Sequence, residues 1–100
     1  MNHSIARVET DRASIYLRQL CKHFAHRRPV EFTPETGRIE LSAGICRLEA
    51  AGGVLTIRAE AEGAEALAQL QDVIAKHLAR FAFRHPVSLD WRAAAVSDNG

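Results

Sequence analysis

Apolar side chains recur at steps of three and four from residue 11 to about residue 26, where Ala13, Tyr16, Leu17, Leu20, Cys21 and Phe24 fall on one stripe. This spacing predicts an amphipathic helix. Thr10 is placed to cap its start with Asp11 in the first turn, and Pro29 stops its far end, because the residue before a proline avoids helical geometry. Upstream, residues 4–9 read as a short strand. Downstream the pattern changes to alternation over residues 30–33, 38–42, 45–50 and 54–60, which predicts a meander of antiparallel strands. The connections agree: Pro34-Glu35-Thr36-Gly37 is turn chemistry, Gly44 follows the third predicted strand, and Gly52-Gly53 suits a two-residue hairpin that needs positive φ. A second helix is predicted from about residue 63 to 81, with Leu67, Leu70, Ile74, Leu78 and Phe81 on its stripe and Glu62 and Glu65 at its positive end. Residues 87–91 alternate as an edge strand would, and residues 93–100 lack a pattern and are expected to fray.

The resulting order, β-α-β-β-β-β-α-β, predicts an α+β domain over residues 1–92, with a single antiparallel sheet and two helices packed on one face. Alternation also assigns the faces. Val30, Phe32, Ile39, Leu41, Cys46, Leu48, Leu55 and Ile57 should point toward the helices. The opposite side carries Glu31, Thr33, Arg38, Glu40, Arg47, Glu49, Thr56, Arg58 and Glu60, a mixed-sign set expected to form a solvated face with cross-strand pairs.

Composition narrows the class. With 100 residues, 47% hydrophobic and 25% charged, the chain can build one modest core without a metal, cofactor or disulfide to hold it. Disorder, collagen and repeats are excluded. No run of about 20 apolar residues is present to span a bilayer, and the first seven residues lack the apolar stretch of a signal peptide. Cys21 and Cys46 form no Cys-x-x-Cys unit and are too few for a secreted disulfide scaffold, so a cytoplasmic location is expected.

The net charge of +1 conceals a local excess. Arg18, Lys22, Arg27 and Arg28 occur without an acid between residues 18 and 28, whereas Glu60, Glu62, Glu65 and Asp72 occur without a Lys or Arg between residues 60 and 72. Both runs complement a helix macrodipole. A pI near 7.9 lies well below that of phosphate-backbone binders, so neither nucleic acid nor a membrane is expected as a partner.

The densest reactive cluster is Cys21-Lys22-His23-Phe24-Ala25-His26. A metal or haem site is the sharp reading, with Cys21, His23 and His26 joined by His77. Helical geometry weakens it, because at about 100° per residue Cys21 and His23 diverge by roughly 200° while His23 and His26 lie about 60° apart. Packing is the ordinary role of a thiol at the edge of an apolar stripe and of a histidine such as His77 beside one. Cys46 is predicted inward and inert, and His85, beside Pro86, is expected to be exposed. A catalytic thiol at Cys21 would need a histidine base and a lowered pKa. Phosphate-loop, His-Glu-x-x-His and nucleophile-elbow signatures are absent, so binding is expected rather than catalysis.

Taken together, Arg12-Ala13-Ser14, Leu-Cys-Lys-His-Phe-Ala-His at residues 20–26, Gly-Arg-Ile-Glu-Leu at 37–41, Cys-Arg-Leu-Glu-Ala at 46–50, Leu-Ala-Arg-Phe-Ala-Phe at 78–83 and Asp90-Trp91 carry a resemblance. From about Ala6 to Arg92 the chain resembles the bacterial domain of unknown function family DUF2218. It departs from that pattern at Ile15, where a polar residue is common, and at Ser42-Ala43, where an aromatic often stands. The family has no established activity, but its company with siderophore-interacting flavoproteins implies a link to iron or siderophore metabolism, with such a flavoprotein as a partner. No flavin or nicotinamide fingerprint is present in this chain. The expected role is therefore a small accessory module. Its candidate binding residues are Lys22, His23, His26, Arg27 and Arg28 at the basic helix end, suited to an anion or acidic partner, with Asp90 and Trp91 carried over from the resemblance. Exposed sheet edges provide a route to a homodimer.

Overall fold

A computed structural model describes residues 2–82 and 89–93. Strand β1 (Asn2–Glu9) leads into helix α1 (Ala13–Ala25), followed by β2 (Val30–Phe32), β3 (Thr36–Leu41), β4 (Gly44–Ala51), β5 (Val54–Ala61), helix α2 (Ala64–Phe81) and β6 (Arg92–Ala93). All pairings are antiparallel, and the sheet order is β2-β3-β4-β5-β1-β6. The first strand therefore lies one in from an edge: β1 enters beside β5 along its whole length, and β6 adds to its other side by pairing Ser4 with Ala93 and Ile5 with Arg92.

Both helices cover one face of the sheet, α1 chiefly over β3 and β4 and α2 over β4, β5 and β1. Between them lies a single core. Leu17, Leu20, Cys21, Leu70, Ile74 and Leu78 descend from the helices onto Ile39, Cys46, Leu48, Leu55 and Ile57, all of them buried. The buried polar residue Ser4 is satisfied by Gln71 of α2, whose Nε2 donates to its Oγ at 2.7 Å. Gly52 and Gly53, with φ of 58° and 74°, make the hairpin between β4 and β5, as their positive-φ turn requires.

Four expectations are corrected. Helix α1 begins at Ala13 without a side-chain cap; Thr10 instead accepts the Arg12 backbone N–H at 3.1 Å, making a local turn ahead of the helix. Phe32 stays 36% exposed, because β2 is an edge strand and α1 is centred further in. The 34–37 turn closes one step earlier, with Thr33 Oγ1 accepting the backbone N–H groups of Glu35 and Thr36, so β3 already starts at Thr36. The last described strand is Arg92–Ala93: Leu89 and Trp91, from the segment expected to form it, pack against the core without strand pairing, and Ala93 is paired, not frayed. Phe83, His85, Val87, Ser88 and the 94–100 tail lie outside the described residues.

Candidate functional site

The final turns of α1 carry His23 and His26 on one side, as their spacing requires, and Arg27 and Arg28 follow where the helix unwinds. The unwinding is local chemistry. The Phe24 carbonyl accepts both the Arg27 and Arg28 backbone N–H groups, at 3.1 and 2.9 Å, and Pro29 then turns the chain into β2. Facing this end are the middle of α2 and the tight β3–β4 turn. They enclose a cavity of about 490 Å³. Its floor is apolar, formed by Phe24, Leu41, Ala43, Leu70 and Val73. Its polar rim consists of His23, His26, Arg27, Arg28, Ser42 and His77.

Two histidines from different helices meet here. The His23 and His77 rings lie 4.9 Å apart between centroids, and both contact Phe24. His77 Nδ1 is 2.7 Å from the Val73 carbonyl, and a carbonyl can only accept, so that nitrogen carries the hydrogen and Nε2 is left to bind or protonate. Burial holds the His23 pKa below its ordinary value, reinforced by His77, Arg80 and His26. No carboxylate lines the cavity among the described residues, so nothing there neutralises the cations.

The candidate metal set does not assemble. Cys21 is fully buried under α1, on the sheet side of the helix, while His23 and His26 face the cavity. Among the described residues no group of three or more His, Cys, Asp or Glu side chains is placed to hold a metal ion. Burial pushes the Cys21 thiol up to about 11 and raises the Cys46 thiol further, the reverse of what a catalytic thiolate requires.

The candidate binding set divides too. His23, His26, Arg27 and Arg28 line the cavity, whereas Lys22 is exposed and, one residue further round the helix, lies outside its lining. Asp90 and Trp91 belong to the β6 side of the sheet: Asp90 accepts from Arg92 at 3.0 Å and Trp91 packs against the core. The sequence reading missed the cavity's other walls, Phe24 with Leu70 and Val73, and the turn residues Leu41, Ser42 and Ala43. Periodicity marks Phe24 and Leu70 only as core, and nothing local reveals that the β3–β4 turn folds against the two helices.

A family model described as an uncharacterized protein conserved in bacteria, DUF2218, matches residues 5–92. The chain belongs to this family. The match covers all but the ends of the described sheet and both helices of the DUF2218 chain, including every described wall of the cavity. The NMR structure of PA4090 from Pseudomonas aeruginosa is similar to it, with 34% identity, a TM-score of 0.77, and coverage of 92% of this chain and 96% of that one. The α+β architecture is thus shared between the DUF2218 chain and this relative. No curated protein matches it. Among the described residues, no helix is long and apolar enough to cross a membrane.

Proposed function

We propose that the protein is a small cytoplasmic binding or accessory module whose cavity takes an anionic ligand with an apolar body. The observation carrying this reading is a rim of histidines and arginines over an apolar floor, with no carboxylate among the described residues that line it. Anions are favoured where neighbouring cations have no carboxylate partner, and the arginine fork adds directional hydrogen bonds. The cavity volume falls within the range of small-molecule sites. Two buried reduced cysteines accord with a reducing compartment. The family's association with siderophore-interacting flavoproteins makes iron chelates the first ligands to try.

The test is calorimetric titration of the full chain with a catecholate and a hydroxamate ferric siderophore, ferric citrate and inorganic phosphate. At least one is expected to bind, and the Arg27→Gln/Arg28→Gln double variant should weaken that binding by about tenfold or more. Both arginines are exposed, so the variant should fold normally. Absence of heat with all four ligands, or affinity unchanged by the double substitution, overturns the reading.

A further inference from the structure

The cavity wall contributed by His23, Phe24 and His77 is a cluster of three rings, with centroid separations of 4.8 to 5.3 Å. Leu41, Leu70 and Val73 supply aliphatic surface to the same space. Such a wall offers face and edge contacts to a flat π-system, worth more than apolar area alone. The charges around the histidine pair are of one sign from every described element that bears on it. The end of α1 contributes His26, the segment after it Arg27 and Arg28, and α2 contributes Arg80, which acts on His23. The β3–β4 turn adds Ser42, which is uncharged.

We propose that the cavity is a site for a planar aromatic acid, a carboxylate or a sulfonate, and that His23 takes up a proton as the acid binds. The proposal rests on the anion-site reading above and specifies its ligand class and its dependence on pH. Rings hold the flat body, and Arg27 and Arg28 meet the acid group. In the free protein the charge on His23 is disfavoured, because the ring is partly buried and stands near His77, Arg80 and His26. The lowered His23 pKa expresses that repulsion and the burial that precedes it. An acid in the cavity supplies the missing negative charge. With the His77 Nδ1 hydrogen held by the Val73 carbonyl, Nε2 is the nitrogen of that ring left to hydrogen-bond the ligand.

Naphthalene-2-sulfonate is the probe, because its charge is fixed and any pH dependence must come from the protein. Calorimetry on the full chain should show affinity rising severalfold between about pH 8 and about pH 5.5, because the fixed negative charge of the bound probe favours the protonated His23 ring. Titrations at one pH in buffers of different ionisation enthalpy should show net proton uptake. His23→Gln should flatten the pH profile, and uncharged naphthalene-2-methanol should bind at least about tenfold more weakly than the sulfonate. If the variant does not fold, the buffer series on the unaltered protein decides the proton step. A pH-independent affinity with no proton uptake overturns the coupling, and equal binding of sulfonate and alcohol overturns the acid. If citrate, phosphate or a siderophore binds and the sulfonate does not, the aromatic-acid proposal fails while the anion site stands. If none binds, both fail.

Discussion

Cys21 and His23 are separated by one residue in sequence and occupy opposite environments, one sealed against the sheet and the other lining a cationic cavity. The difference follows from helical rotation and is expressed in protonation. Burial makes the Cys21 thiolate hard to form, and burial with neighbouring cations makes the His23 imidazolium hard to form. For His23 this has a consequence for stability. An unfolded chain binds the proton near the ordinary value of 6.5, whereas the folded protein binds it only at lower pH. The unfolded state therefore holds more protons as pH falls through that value, and the contribution from His23 is present at higher pH and lost on acidification. The ligand-free protein should show a falling Tm between about pH 7.5 and about pH 5, and His23→Gln should make that fall shallower. An unchanged slope in the variant would place the acid sensitivity elsewhere.

Strands carry their own conflict. The register aligns Arg38 with Arg47 and Arg47 with Arg58, so three arginines stand side by side on the open face of β3, β4 and β5. Mixed charge on this face is legible in the sequence, and the register does set Glu31 opposite Arg38, but it also sets the arginines against one another. Arg38 turns to Glu40 on its own strand, and Arg47 reaches diagonally to Glu60 at 3.0 Å. Arg58 makes no ion pair among the described residues. Packing on the other face dictates this outcome, since a slip of one residue would expose Ile39, Cys46, Leu48 and Ile57. Like charges directly opposite each other in a sheet are destabilising, so Arg58→Thr, a β-branched replacement, should stabilise the protein by roughly 0.2–1 kcal/mol in urea unfolding. A loss of stability instead would mean that the Arg58 stem contributes more by packing than its charge costs.

Across the whole molecule, the two thiols report on cooperativity. Cys21 comes from α1 and Cys46 from β4, and both have no exposed surface in the layer where helices and sheet meet. Reaching either requires separating those layers, which in a domain of this size is close to global unfolding. Alkylation under native conditions should therefore be slow at both positions and should accelerate together when denaturant is added. Rapid labelling of Cys21 alone would show that α1 opens independently of the sheet, and would also loosen the α1 wall of the cavity.

Sequence by itself determined the element order, the helix stripes, the strand alternation and the glycine hairpin, because each is a short-range property: a period, a missing Cβ or a proline acts over a few residues. It also exposed the basic end of α1, since four cations without an acid stand in one short stretch. Tertiary structure decided what that end faces. His77 lies more than fifty positions beyond His23, Leu41 and Ser42 come from a turn, and no local rule sets their approach. Only the packing of α1 and α2 onto one sheet face brings them together, and the same packing removes Cys21 from the histidines and leaves Asp90 and Trp91 on the β6 side. Local periodicity fixes which residues turn inward; long-range contact alone fixes which of them meet.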